Sequence, residues 1–280
     1  MRMSQVIDPA TGTATPIPVL GLGCSRVGSF GNPAPPQQVR ETLAAAMDLG
    51  VTLFDTADIY GQGDSEREIG RVLRGRRDKA FVVTKFGKTY SWKMALMRPA
   101  KPLLRRVIKP KAAGEMVSTQ RERNMGEDFG PAHLRQALDG SLRRLGSDYV
   151  DAVLLHSPSA TTAADPRLAE TLAALKAAGK TRHFGVSCDD RACLEAAFTI
   201  PGLSFLQLPI DVIDQAAADG LLAHVRARGV AIQAREVIRL RGARGVVEAV
   251  ADAARRSEID NVVAGASHPE RLRQLAEAVG

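Results

Sequence analysis

A short apolar run, a turn and an amphipathic helix follow one another along almost the whole chain, and this recurrence limits the fold more than any other feature. The runs fall at 19–22, 51–54, 81–84, 150–155, 183–186, 203–208, 230–234 and 261–264, eight in all. Helical patterns lie between them, at 39–47, 132–144, 166–179, 190–198, 215–228, 244–256 and 269–278. Ser65-Glu-Arg-Glu68 reads as a capping box opening the helix after the second run. Gly50, Gly146, Gly179 and Gly229 stand where a left-handed residue ends a helix. Near-continuous apolar strands are buried on both faces, as in parallel sheets. Eight strand–helix units in 280 residues predict an α/β chain forming one closed (β/α)8 TIM barrel across 1–280, with an open doubly wound sheet as the competing arrangement. Ahead of the first unit, Asp8-Pro-Ala-Thr-Gly12 lies between two short apolar stretches and predicts an N-terminal β-hairpin.

Residues 86–130 break the pattern. They separate the third strand from its helix, and loops of that length are uncommon and usually functional or unstructured. Within them, 88–123 carry ten Lys or Arg against Glu115 and Glu122, which more than accounts for the formal net charge of +7. The basicity therefore belongs to an insertion and not to the fold, and it does not read as nucleic-acid binding. Three readings of the insertion stay open: a solvated loop, a lid hanging over the active face on acidic substrates, and contact with an anionic membrane surface through 88–123. Pro99, Pro102 and Pro110 exclude a long helix there.

Composition narrows the class further. Apolar residues make up 45% and charged residues 25%, the mix of a soluble globular protein. No apolar run reaches the ~20 residues that span a bilayer, and the N-terminus lacks the basic-then-apolar pattern of a secretory signal, so a cytoplasmic location is expected. Cys24, Cys188 and Cys193 are too few and too irregular for a disulfide framework, and Cys24 and Cys188 read as small apolar residues. No Cys/His cluster has zinc-ligand spacing, so no metal is expected. Gly21-Leu-Gly23 with Gly28 has the wrong spacing for a dinucleotide-binding glycine fingerprint.

In a closed parallel barrel the C-terminal strand ends open onto one face. Asp55 ends the second run, Lys85 the third and His156 the fourth, and Tyr60 follows Asp55 by five residues. These strands are neighbours at ~4.8 Å spacing, so a carboxylate, an ammonium, an imidazole and a phenol converge over the barrel mouth. A phenol is a poor acid at neutral pH, and an adjacent ammonium stabilises its anion. Such a group can give a proton to a carbonyl oxygen on which negative charge develops, and it then needs a hydride donor.

Gly50-Val-Thr-Leu-Phe-Asp-Thr-Ala-Asp-Ile-Tyr-Gly61, Val83-Thr-Lys-Phe-Gly87 and Leu154-Leu-His-Ser-Pro158 resemble the signatures of the aldo-keto reductase superfamily, and the resemblance covers nearly all of the chain outside 86–130. It implies a barrel that reduces the carbonyl of a small-molecule substrate with NADPH and without metal. Tyr60 would be the general acid, Lys85 would lower its pKa, Asp55 would pair with Lys85 and His156 would position the carbonyl. The same resemblance implies cofactor contacts from Gly23, Asp55, Ser187, Cys188, Gln207, Arg235, Ala266, Ser267 and Arg271. Cys188 replaces the usual Asn, and Arg235-Glu236 stand where an aromatic or Arg before Ser is common. Gly265-Ala266 stand where Lys-Ser is frequent, which leaves NADH open. A helix N-terminus near 267–270 would favour an anion. Two other readings compete: a catalytically weak NADP-binding sensor or partner-binding protein on the same scaffold, and a Schiff-base barrel using Lys85, which adjacent Asp55 disfavours by keeping the amine charged.

Overall fold

The computed structural model describes residues 1–29, 32, 34–90, 125–241 and 245–280. Its core is a closed eight-stranded parallel barrel. The strands are β3 (Leu20–Gly23), β4 (Leu53–Asp55), β5 (Phe81–Phe86), β8 (Val150–His156), β9 (Thr181–Ser187), β10 (Phe205–Pro209), β11 (Ala231–Arg235) and β12 (Asn261–Ala264), and β12 pairs with β3 to close the ring. Each coincides with one of the apolar runs, and the open sheet is ruled out by that closing pair.

Helices cover the outside: α1 (Pro36–Asp48), α2 (Asp64–Val72), α3 (Pro131–Leu145), α4 (Ala160–Ala163), α5 (Pro166–Ala177), α6 (Arg191–Phe198), α7 (Ile210–Ala218), α8 (Leu221–Ala227), α9 (Val246–Arg255) and α10 (Pro269–Val279). Their apolar faces and the outward faces of the strands form the main core. Gly50, Gly146, Gly179 and Gly229 all have positive φ, as the helix-ending pattern predicts. None of the helices among the described residues is long and apolar enough to cross a membrane.

The predicted hairpin is present as β1 (Met3–Ile7) and β2 (Ala14–Pro18), paired antiparallel. Asp8 starts its turn by accepting the Ala10 N–H through Oδ1 at 2.9 Å, and Gly12 turns the chain at φ 72°. Val6 and Ile17 are fully buried and pack on Leu53, Phe81, Val83, Leu154 and Phe205. The hairpin thus closes the N-terminal end of the barrel.

Two local expectations give way. The pattern at 215–228 predicts one helix, yet Gly220 at φ 83° separates α7 from α8, and α7 begins directly after β10. The capping box does not form. Gly63, at φ 83°, precedes α2, and Ser65 turns inward to Thr56 Oγ1 at 2.8 Å and the Cys24 carbonyl at 3.1 Å. Interior hydrogen bonds outweigh a cap that solvent could satisfy equally well.

The insertion leaves the barrel on a two-stranded antiparallel stalk, β6 (Lys88–Tyr90) with β7 (Met125–Glu127). Lys88 pairs with Glu127 across it. Residues 91–124 lie outside the described residues, and with them the basic positions from Lys93 to Arg123 and the loop, lid and membrane readings.

Candidate active site

β4 and β5 build the site's base. Asp55 ends β4, and the chain beyond it stays laced to β5: the Thr56 N–H donates to the Val83 carbonyl at 2.8 Å and the Asp58 N–H to the Lys85 carbonyl at 3.1 Å. This lacing folds the loop back over the barrel and brings Tyr60 above Lys85. Gly61 then turns the chain at φ 58°; a Cβ there would lie 2.7 Å from the Val27 carbonyl oxygen, so the close approach of the 27–28 backbone requires glycine.

Lys85 is 1% exposed, and its Nζ donates to Asp55 Oδ1 at 2.7 Å and to the Thr56 carbonyl at 3.0 Å. Burial works against the ammonium, but the Asp55 carboxylate and the Tyr60 phenol outweigh it and raise the lysine pKa above its ordinary value, with Arg235 opposing. Lys85 Nζ is 5.2 Å from the centre of the Tyr60 ring. The Tyr60 ring meets the His156 imidazole edge to face, with centroids 5.7 Å apart at 84°. The four residues that the sequence assigns to chemistry therefore stand together at one strand-end face.

Above them lies a cleft of about 370 Å³ lined by Gly23, Asp55, Tyr60, His156, Ser187, Gln207 and Arg235 among others. A second cleft of about 380 Å³, lined by Ala266 and Ser267, shares Gly23, Ser25, Ile238 and Gly265 with the first. The two form one trench. Cys188 and Arg271 line neither cleft. Cys188 is fully buried, and burial and the neighbouring Cys193 thiol push its own thiol pKa well up. Burial likewise pushes up the Cys24 thiol. Arg271 turns along α10 to Gln274 Oε1 at 3.1 Å. α10 begins at Pro269, and His268 caps it by accepting the Arg271 N–H through Nδ1.

Arg235 reaches Asp189 and Glu236, and its Nη2 donates to the Cys188 carbonyl at 2.9 Å. Glu236, held at φ 60°, also pairs with Arg239, which pairs with Asp211 at 2.7 Å. The Glu236 carboxylate is thus flanked by two guanidinium groups.

Two interior amides escape the sequence reading. Gln207 Nε2 donates to Asp55 Oδ1 at 2.8 Å and to Gln233 Oε1 at 2.6 Å, and Gln233 Nε2 donates to Asn261 Oδ1 at 2.8 Å. Gln233 and Asn261 sit inside apolar runs, where a single polar residue gives no periodic signal; only the pairing of β10, β11 and β12 sets them side by side.

The model of the aldo/keto reductase family matches residues 19–279. The chain belongs to that family. Among its curated relatives, aldo-keto reductase yakc [NADP(+)] of Schizosaccharomyces pombe is 31% identical over 188 residues, covering 66% of this chain and 47% of the relative. The NADH-specific methylglyoxal reductase of Escherichia coli is 28% identical over 223 residues, covering 76% of this chain and 61% of the relative. The chain spans about half the length of the curated relatives it matches. The fold resembles that of solved family members. Aldo-keto reductase AKR11C1 from Bacillus halodurans, in its holo form, superposes with a TM-score of 0.74 at 20% identity, covering 99% of this chain and 91% of that one. A Klebsiella pneumoniae aldo-keto reductase in complex with NADPH gives 0.65 at 23% identity, covering 100% and 90%.

Proposed function

We propose that the protein reduces an aldehyde or ketone to an alcohol with NADPH, NADH being the second candidate. The observation that carries this reading is the buried Lys85–Asp55 ion pair lying beneath Tyr60 and beside His156. The trench suits a dinucleotide: it joins two clefts, and it offers Ser187 and Gln207 at the strand ends and the Ala266–Ser267 segment further along. Relatives named for NADP(+) and for NADH support a nicotinamide nucleotide. When bound, the nicotinamide supplies the hydride.

The chain's own residues supply the rest. Tyr60 Oη gives its proton to the carbonyl oxygen as charge develops there. Lys85 stabilises the phenolate that remains, because Asp55 holds the ammonium charged in a site that burial would otherwise neutralise. His156, at the end of β8, directs a hydrogen bond to the same oxygen and orients it. The Schiff-base alternative needs a neutral amine, which the raised Lys85 pKa opposes. The sensor reading draws on the inward turn of Cys188, which leaves Ser187 as the β9 contributor to the cleft.

The test is a titration with NADPH and NADH followed by a panel of small aldehydes and ketones, read by nicotinamide absorbance. Tyr60→Phe is expected to lower turnover by about 10² to 10⁴ and to leave nucleotide affinity unchanged. Full activity in that variant would remove the tyrosine from its role. Tight nucleotide binding with no turnover on any carbonyl would favour the sensor.

A further inference from the structure

Among the described residues, those other than glycine with positive φ all stand at the strand-end face: Gln62 at 61°, Ser157 at 51° and Glu236 at 60°. Glycine takes this backbone freely, whereas a side chain makes it costly. Ser157 is the most constrained of them. It directly follows His156, and Pro158 after it favours extended backbone at position 157. Strain of this kind persists only where the surroundings enforce it. The Ser157 N–H donates to the Ser187 carbonyl at 2.9 Å and continues the β8–β9 ladder, which fixes the chain as far as the 156–157 peptide. Beyond Pro158, Ser159 caps α4 by accepting the Thr162 N–H at 3.1 Å. Between these anchors the rotation at Ser157 meets one side-chain restraint among the described residues: its Oγ donates to Asp189 Oδ1 at 2.8 Å. Asp189 is held in turn by the Arg235 guanidinium, which is moored to the Cys188 carbonyl at 2.9 Å. Ser157 and Asp189 both line the cleft beside His156.

We propose that Asp189 is a specificity-determining positioning residue: by holding the Ser157 hydroxyl, it keeps the chain in the left-handed turn directly after His156 and so keeps the carbonyl side of the cleft clear. This rests on the reductase reading. An extended Ser157 carries the chain straight on from β8 and past His156, where it crowds the place of a bulky carbonyl compound. His156 itself stays where the ladder to Ser187 puts it. Loss of the tie therefore acts on carbonyl binding and hardly on the chemical step, and it acts more on a large carbonyl than on a small one. A carboxylate suits this task, because as an ionised acceptor it holds a hydroxyl more strongly than a neutral group does.

The experiment measures kcat and KM for propanal and for the bulkier benzaldehyde at saturating NADPH, together with the Kd of NADPH. It compares the wild-type chain, Ser157→Ala, Ser157→Gly, Asp189→Ala and the double variant Asp189→Ala with Ser157→Gly. Ser157→Ala removes the tie and keeps the backbone penalty. Its KM for benzaldehyde is expected to rise about tenfold, the population shift that a left-handed side chain amounts to, with a smaller rise for propanal and with kcat and the NADPH Kd little changed. Ser157→Gly removes tie and penalty together and is expected to stay near the wild-type KM. Asp189→Ala also frees Arg235, so its test is the rescue: adding Ser157→Gly is expected to lower its benzaldehyde KM about tenfold. A hydroxyl that merely touched the substrate would make Ala and Gly equally poor. Equal KM values in those two variants overturn the proposal, and so does a double variant that shows no rescue. A wild-type chain that reduces no carbonyl overturns instead the reductase reading beneath it.

Discussion

Lys85 is a charge placed where charges are costly, and its neighbours explain why it stays. The Asp55 carboxylate and the Thr56 carbonyl both accept from it in a site closed to solvent. Removing one partner of a buried pair strands the other. Lys85→Met is therefore expected to abolish activity and to destabilise the fold by about 3–5 kcal/mol in urea unfolding. The double variant Lys85→Met with Asp55→Leu should recover most of that stability and none of the activity. Asp55, Lys85 and His156 were legible in the sequence because each is a polar residue stopping an apolar run, and a closed barrel has one face for such endings. Tyr60 was legible through its distance from Asp55. Gln233 and Asn261 were not, because their partners come from strands 26 and 28 residues away in sequence and nothing local marks them. Cys188, directly after β9, is fully buried and lines neither cleft: a strand end fixes a residue's height in the barrel, and side-chain direction decides whether it meets the cleft.

At the scale of elements, close strand contact sets limits that a periodic pattern cannot express. Gly185 on β9 faces the backbone of β10, where a Cβ would lie 1.6 Å from the Phe205 carbonyl oxygen. Gly185→Ala is expected to prevent barrel closure and give insoluble chain, whereas Gly179→Ala, which has open space but a φ of 71°, should cost only about 1 kcal/mol. Soluble expression and circular dichroism distinguish the two. The hairpin β1–β2 acts as a structural part of the barrel through Val6 and Ile17, and Ile17→Ala should cost about 2–5 kcal/mol in the same unfolding assay. The element order was readable because each strand carries its own apolar run. The break between α7 and α8 was missed because apolar spacing continues across Gly220, and the backbone there turns left-handed regardless of it.

Across the whole molecule, two buried groups bend stability with pH in opposite senses. His183 lies under the barrel between Thr15 and Ser204, stacked on Phe81. Burial, reinforced by Lys176 and Arg182, pushes its pKa down to about 4. The unfolded chain takes up that proton first, so this contribution to stability is lost as pH falls from about 6.5 to 4, by up to about 3 kcal/mol. Asp58 behaves conversely. Burial and Glu66 push its carboxyl up to about 8, with Arg144 opposing. It folds most easily when protonated, so stability declines as pH rises from about 4 to 8. The slopes oppose each other between pH 4 and 6.5, and only the decline remains between 6.5 and 8. Asp58→Asn is expected to remove that decline and to unmask a rise in stability from pH 4 to 6.5, measured by urea unfolding across the series.

The hairpin at the N-terminal end has one more effect. Val6 and Ile17 bury the barrel's floor against Leu53, Phe81 and Phe205, and the trench opens at the opposite, strand-end face. Ser157 and Ile238 stand along the rim of that face.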